Sequence, residues 1–211
     1  MLDDLAALGG SLPRTNIRFL NEDFRRTTLP SASVDVILTS PPYLNRLDYV
    51  VNHIAALSLL SSLVPICFEE LRRNMIGTTK IAEKGEVQKH WGESCLSFLD
   101  IVLHHQSQAS ATYYYWNFYR YFSDLFRSLE NMKRLASHRA VGALVIQNSF
   151  YKEVPIPTAR IVVEMASKLR VGARVVRSEM VRSHLGSLSP RQTRYVGRKT
   201  LEEYVVALEF D

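Results

Sequence analysis

The 211-residue chain has the composition of an ordinary globular domain, with 46% hydrophobic, 10% aromatic and 22% charged residues. It contains no apolar stretch near the roughly 20 residues that span a bilayer, and its acidic start lacks the features of a secretory signal. Its two cysteines, Cys67 and Cys95, have no CxxC spacing, and Cys95 with His104 and His105 has no accepted zinc spacing. We expect one domain, residues 1–211, in a cytoplasmic protein without a metal or a membrane contact.

The net charge of +5 is unevenly distributed along the chain. Between Lys168 and Lys199 nine basic residues stand against one acid, Glu179, so this segment carries +8 and the remainder −3. A basic stretch confined to one end favours a polyanionic partner such as nucleic acid. A solvated basic surface is the alternative.

Helix and strand patterns alternate through the first half of the chain. In order, the predicted elements are a helix at Leu2–Leu8 stopped by Gly9 and Gly10, a strand at Asn16–Leu20, a strand at Val34–Leu38, and a helix at Val50–Leu63. The second strand is nearly all apolar, which is typical of a strand buried on both faces. Residues 65–112 are the least regular part.

The second half continues the alternation. Its predicted elements are a long helix at Tyr113–Ala136, a strand at Ala143–Gln147, a helix from Pro157 and Thr158 to Leu169, and strands at Ala173–Val181 and Glu203–Phe210. The long helix has apolar residues at helical spacing, namely Trp116, Tyr119, Phe122, Phe126, Leu129 and Met132. This order predicts an α/β fold, an open sheet with helices on both faces.

A rigid loop, Ser40-Pro41-Pro42-Tyr43, follows the apolar strand directly. Ligands of open α/β sheets bind beyond the carboxyl ends of the strands, which is where this loop falls. The prolines fix φ and leave carbonyls that no helix or strand ladder uses. Together with the Ser40 hydroxyl they form an array of acceptors suited to an exocyclic amino group, on whose ring Tyr43 can stack.

The sequence TSPPY after an apolar strand resembles the catalytic motif of the amino-group DNA methyltransferases, which methylate adenine N6 or cytosine N4. The resemblance implies S-adenosylmethionine as cofactor and a DNA base flipped out of the duplex. It assigns the catalytic role to Ser40, Pro41, Pro42 and Tyr43. The hydroxyl of Ser40 and the carbonyl of Pro41 would accept hydrogen bonds from the target amino group. Serine rather than aspartate at position 40 favours cytosine N4.

Other stretches fit the same family. The turn Asn21-Glu22-Asp23 resembles its acidic turn near the cofactor adenine, VGALVIQNSF resembles the strand after the catalytic one, and RQTRYVGRKTLEEYVVALEF resembles the closing part of the fold. The implied cofactor-binding residues are Asp23, Thr39 and Ser40. The residues predicted to bind DNA are Arg46 and, from the basic segment, Arg182, Arg191, Arg194, Arg198 and Lys199.

The chain departs from the family in lacking its glycine-rich cofactor loop. None of the nine glycines forms a GxG, and the adjacent pair Gly9-Gly10 follows a helix-like segment. The resemblance therefore implies a partial Rossmann-like class I methyltransferase sheet whose first strands are missing. We expect a partner that completes it, either a second polypeptide with the glycine-rich half or another copy of this chain. A truncated enzyme or a degenerate copy are the alternatives.

Residues 65–112 form a predicted helical insertion that is too long for a connector. Its polar, lysine-containing centre and Trp91 suggest target recognition or partner docking, and a helical lid is the alternative. Three functions remain open at this point. They are DNA amino-methylation, methylation of an RNA base, and a non-catalytic role in DNA binding or assembly.

Overall fold

The computed structural model describes residues 16–44, 48–80, 85–181 and 201–211. Its α-helices are α1 (Tyr49–Asn52), α2 (Ile54–Leu60), α3 (Phe68–Asn74), α4 (Glu93–His104), α5 (Tyr115–Leu135) and α6 (Thr158–Lys168). Its strands are β1 (Val34–Thr39), β2 (Ala136–Gln147), β3 (Ser149–Tyr151), β4 (Val154–Ile156), β5 (Gly172–Met180) and β6 (Glu202–Glu209). Short turns of 3₁₀-helix occupy Phe24–Arg26 and Lys89–Trp91, and a π-helical turn occupies Ser110–Tyr114.

The described sheet has four strands in the order β1-β2-β6-β5. The pair β1 and β2 is parallel, whereas β6 runs antiparallel to both of its neighbours. The connection between the two parallel strands contains helices α1 to α5 and ends with the long helix α5, which leads directly into β2. The predicted α/β class and the partial, partly parallel sheet are confirmed.

The core lies between one face of this sheet and the helices α4, α5 and α6. From the sheet it takes alternate residues, among them Ile37, Leu144, Ile146, Val206 and Leu208. From α5 it takes Phe122, Phe126, Leu129 and Met132, which are all buried, as their helical spacing predicts. Side chains of the long helix and of the sheet therefore belong to one buried cluster.

The second half of the predicted insertion belongs to this core. Trp91 is 2% exposed and packs against Tyr119, with ring centroids 5.2 Å apart. Phe98 of α4 meets Phe118 of α5 edge to face at 5.0 Å. Trp91 is thus a core residue that is not available for surface recognition, and the recognition or docking role of residues 65–112 stays a prediction.

Three local predictions need correction. Residues 16–20 form no strand; Ile17 and Phe19 are 75% and 92% exposed, because no described strand lies beside them. The helix predicted at Val50–Leu63 is divided into α1 and α2, with the break at His53. Strand β2 begins at Ala136, earlier than predicted, because it pairs with the start of β1 across a register shift.

The expectation that the strand predicted at Val34–Leu38, which is β1, is buried on both faces is wrong. Ile37 points into the core and is 8% exposed, but Val36 and Leu38 are 67% and 78% exposed on the opposite face. The helices that share the buried cluster with the sheet, α4, α5 and α6, lie on the side of Ile37, and no described residue covers Val36 and Leu38. The helix predicted at Leu2–Leu8 also lies outside that part of the chain. No helix within the described ranges could cross a membrane.

Candidate functional site

The predicted loop after β1 is fixed at both ends. It follows Thr39, the last residue of β1, and runs into Leu44, whose side chain is 3% exposed in the core. The backbone N–H of Tyr43 donates a hydrogen bond to the hydroxyl of Tyr49 over 3.1 Å. Ser40, between these anchors, is exposed. The loop therefore presents a hydroxyl at the carboxyl end of β1, where open α/β sheets bind their ligands.

The hydroxyl of Tyr43 is anchored to the opposite end of the chain. It donates to Glu203 Oε1 over 2.9 Å and accepts a longer hydrogen bond, 3.4 Å, from Ser40 Oγ. Partial burial raises the pKa of Tyr43, and the carboxylate of Glu203 adds to this shift. Tyr43 is therefore a neutral aromatic ring whose far end is tethered to β6.

The two proline carbonyls differ in their partners. The carbonyl of Pro42 accepts a hydrogen bond of 2.9 Å from the hydroxyl of Tyr121, a residue of α5 that is 1% exposed. Burial raises the pKa of Tyr121, so this hydroxyl remains a donor. No described residue donates a hydrogen bond to the carbonyl of Pro41. Among the described residues, the Pro41 carbonyl and the Ser40 hydroxyl therefore remain available to accept hydrogen bonds from a ligand.

The position of Glu203 depends on the junction of β2 and β6. The backbone N–H of Asn148 donates to the carbonyl of Glu202 over 3.0 Å, and the N–H of Glu202 donates to Asn148 Oδ1 over 2.7 Å. In the ladder that follows, Gln147 faces Glu203. These two hydrogen bonds align the start of β6 beside the end of β2 and place Glu203 next to Tyr43.

Sequence reasoning did not find Glu203, Tyr121 or Asn148 as parts of this site. Glu203 opens an apolar strand, where an acid ordinarily marks the solvated end. Tyr121 falls on the long helix among aromatic residues that the spacing assigns to the core. Asn148 alone carried a signal, because it is a polar residue directly after a buried strand and thus at the ligand-binding edge.

Asp23, predicted to bind the cofactor, is engaged with Arg25. Its carboxylate accepts hydrogen bonds from Arg25 Nε at 2.9 Å and Arg25 Nη2 at 2.8 Å, and caps the 3₁₀ turn at the N–H of Arg25. These hydrogen bonds lower the pKa of Asp23 to about 2. Arg25 in turn reaches Asp124 of α5, with 2.6 Å between Nη1 and Oδ1. A role of Asp23 in cofactor binding stays a prediction.

Replacing Asp23 with asparagine is expected to lower the free energy of unfolding by about 1–2 kcal/mol at pH 7, since the side chain is partly exposed and the pair is screened. The pKa is depressed in the folded state, so this stability is present above the unfolded value near 3.8 and disappears as the pH falls towards 2. Urea unfolding at pH 7, 4 and 2.5 measures it, with exposed Asp100→Asn as control. A difference between wild type and variant that is the same at all three pH values would contradict this assignment.

Two crystal structures of one protein are similar to this chain. The first is TTHA0409, a proposed DNA modification methylase from Thermus thermophilus, with 16% identity and a TM-score of 0.37 over 87% of this chain and 48% of that chain. The other is the selenomethionine derivative of the same protein, with 13% identity and a TM-score of 0.35 over the same shares. The chain thus spans about half the length of these structures. No family model and no curated protein matches it.

The described residues could bind the amino group that receives the methyl group, but they do not form a complete binding site for S-adenosylmethionine. A cradle for S-adenosylmethionine needs a loop of small residues that lets the backbone approach the ligand closely. The described glycines are Gly77, Gly85, Gly92, Gly142 and Gly172, and no two of them are separated by a single residue. Asp23 is also held by Arg25. The described part of the chain therefore lacks the cradle that this cofactor requires.

The residues predicted to contact DNA all lie outside the described residues. They are Arg46, Arg182, Arg191, Arg194, Arg198 and Lys199. Two other arginines of the same basic segment, Arg174 and Arg177, lie on β5 with side chains 69% and 70% exposed. Each forms an ion pair with an acid, Glu209 or Glu179, so this part of the segment is locally neutralised.

Proposed function

We propose that this chain is the base-binding half of an enzyme that methylates an exocyclic amino group of DNA, at cytosine N4 or adenine N6. S-adenosylmethionine supplies the methyl group. One observation carries the proposal: an exposed Ser40 hydroxyl and a Pro41 carbonyl without a described donor stand beside the tethered ring of Tyr43 at the end of β1. This is a set of acceptors next to a stacking surface, which matches a base that carries an –NH₂ group.

The chemistry of an exocyclic amine explains why two acceptors are useful. The amino nitrogen has two N–H donors, and its lone pair is delocalised into the ring, so it is a weak nucleophile. Hydrogen bonds from these N–H groups to Ser40 Oγ and the Pro41 carbonyl hold both hydrogens in place. The lone pair is then less delocalised and is directed away from the loop. Fixing the reacting nitrogen in this way lowers the entropic part of the barrier.

Tyr43 holds the base itself in this proposal. A base inside a duplex cannot reach Ser40, so it has to leave the stack and lose the contacts of its neighbours. Stacking on an aromatic ring replaces part of that loss, by about 1–3 kcal/mol per base. The bond between Tyr43 and Glu203 supports this role, because a ring held in one orientation loses less entropy when the base arrives.

The test is to purify the natural complex from its host through an affinity tag on this chain and to incubate it with labelled S-adenosylmethionine. DNA and RNA are offered in separate reactions, and digested nucleosides are separated by mass spectrometry. We expect label in N4-methylcytosine or N6-methyladenine from DNA. Label confined to RNA would reject DNA as the substrate, and label in neither would reject methylation.

The basic segment gives a separate prediction. Replacing Arg194 with alanine is expected to weaken DNA binding about three- to tenfold and to reduce the slope of log affinity against log salt by about 1, because one phosphate contact is lost. Fluorescence anisotropy between 50 and 200 mM salt, both approximate working values, measures both quantities. The control is Arg160→Ala, which removes an exposed arginine that is paired with Glu164 on α6. Equal slopes for wild type and Arg194→Ala would exclude a phosphate contact.

A further inference from the structure

One face of the sheet carries an exposed apolar surface, which we call the open face. It consists of the exposed Val36 and Leu38 of β1 and Val141 of β2, together with the half-buried Ala143 and Val145 of β2. Val36 lies beside Val141 and Leu38 beside Ala143, so the side chains form one continuous patch across both strands. Contiguous apolar surface of this kind in a folded protein marks a binding surface.

The backbone of β1 is also incompletely paired. Among the described residues β1 is the terminal strand of the sheet, and β2 occupies only one of its two edges. Terminal strands exposed in this way are ordinarily short, charged, bulged or covered. The sequence of β1 contains one charge, Asp35, in six residues. Parallel strands are moreover buried on both faces in nearly all proteins, whereas this one is buried only at Ile37.

The apolar character of this face decreases away from β1. From β2 to β6 it continues as Ala143 beside Ala207 and Val145 beside Val205. On β5 the residues opposite Ala207 and Val205 are Arg174 and Arg177. Both arginines are largely exposed and paired with acids, as is ordinary for solvated surface. A covering element therefore belongs over β1 and β2 and extends past the free edge of β1.

A second copy of this chain cannot both cover the open face and pair with the free edge of β1 through one symmetric contact. A two-fold axis that joins two β1 edges pairs them antiparallel and leaves both open faces uncovered. A two-fold axis that stacks two open faces covers Val36 and Leu38 but leaves both β1 edges unpaired. A different polypeptide can provide a strand and a covering helix at once.

We infer that the open face and the free edge of β1 bind a second α/β polypeptide. It adds a strand beside β1, in parallel, and packs an apolar helix over Val36 and Leu38. The inference rests on the proposed function in one respect only, which is that this polypeptide carries the glycine-rich loop for S-adenosylmethionine.

The first experiment places a photo-reactive benzoylphenylalanine at position 38 or at position 180 of the tagged chain in its host. Leu38 and Met180 are large apolar residues of similar exposure, 78% and 70%, on opposite edges of the same sheet. We expect position 38 to cross-link to one polypeptide that has a strand followed by GxG, and position 180 not to do so. Cross-links from position 38 to this chain, whether in the same copy or a second one, or to nothing, overturn the inference.

The second experiment mixes the purified chain with the partner polypeptide that cross-linking identified, without DNA or methyl donor. Calorimetry then measures the stoichiometry, expected to be 1:1, and the affinity of the complex. Leu38→Lys and Val36→Lys are expected to weaken binding at least about thirtyfold, since each removes a central apolar contact. Met180→Lys is the matched control and is expected to change affinity less than about twofold. Hydrogen exchange is expected to slow at the β1 amides in the complex. Equal effects of the three substitutions, or unchanged exchange in β1, overturn the inference.

These outcomes separate docking from catalysis. If the complex forms as described but no base is methylated, the proposed function fails and the docking surface stands. If the chain methylates DNA at full rate without any partner, the docking inference fails and the proposed function stands. Circular dichroism of each variant checks that it is folded. We expect all three variants to fold, because substitutions at exposed positions usually change stability little.

Discussion

Replacing Tyr43 with alanine is expected to lower the rate of methyl transfer by about ten- to a hundredfold, the equivalent of one lost base-stacking contact. Replacing it with phenylalanine is expected to cost only about fivefold, because the ring remains and only the hydroxyl's hydrogen bond to Glu203 and its longer one from Ser40 are lost. Single-turnover rates of the complex on DNA measure both effects. The order of the two variants is the informative result, since it separates the ring from its hydroxyl.

The control for this series is Tyr204→Phe. Tyr204 lies next to Glu203 on β6, and its hydroxyl bonds to Glu202 rather than to the loop. Its loss is expected to leave the transfer rate within about twofold of wild type. If Tyr43→Ala transfers methyl groups as fast as wild type, Tyr43 does not hold the base. If Tyr43→Phe is as slow as Tyr43→Ala, the hydroxyl rather than the ring is what matters.

Replacing Asp124 with alanine is expected to destabilise the fold by about 3–5 kcal/mol, the range found when one member of a buried ion pair is removed. The carboxylate is fully buried on α5, where it accepts a hydrogen bond of 2.8 Å from Arg120 Nε and lies 2.6 Å from Arg25 Nη1. The side chains of Arg25 and Arg120 are only 9% and 13% exposed, so two guanidinium groups would lose their shared counter-charge. Urea unfolding at pH 7 measures the change.

Glu130→Ala is the matched control, because Glu130 is an exposed acid of the same helix. It is expected to change the free energy of unfolding by less than about 0.5 kcal/mol. A double variant, Arg25→Ala with Asp124→Ala, is expected to be less unstable than the sum of the single variants, since the interaction between these two side chains is then counted once rather than twice. A loss below about 1 kcal/mol for Asp124→Ala would contradict the assignment of this cluster as a structural centre.

The elements whose sequence carries its own periodicity could be predicted. The apolar residues at helical spacing predict helix α5, and the mainly apolar stretch Glu203–Phe210 predicts strand β6. The loop Ser40–Tyr43 could be placed at the end of a strand because Val34–Leu38 is apolar and the prolines stop it. In each case a short stretch determines its own conformation.

The partners of the loop could not be predicted in this way. Tyr43 and Glu203 are 160 positions apart, and Tyr121 and Pro42 are 79 apart, so only the folded chain brings them together. The prediction of a strand at residues 16–20 was wrong for a related reason. A strand is stabilised by its neighbour, and propensity alone does not supply one. The open face could not be predicted either. The apolar sequence of β1 predicts burial on both faces, but the described residues cover only one of them.

We propose above all that Ser40 and Tyr43 form the site that holds the target amino group. Its most direct test is the amount of methylated deoxynucleoside in DNA treated with the complex that contains the double variant Ser40→Ala, Tyr43→Ala, measured by mass spectrometry against wild type. Formation of the complex and its melting temperature are recorded first, so that a folding defect is recognised. We expect the double variant to assemble normally and to produce less than about one hundredth of the methylated base. Methylation at the wild-type level by a fully assembled double variant would contradict the claim.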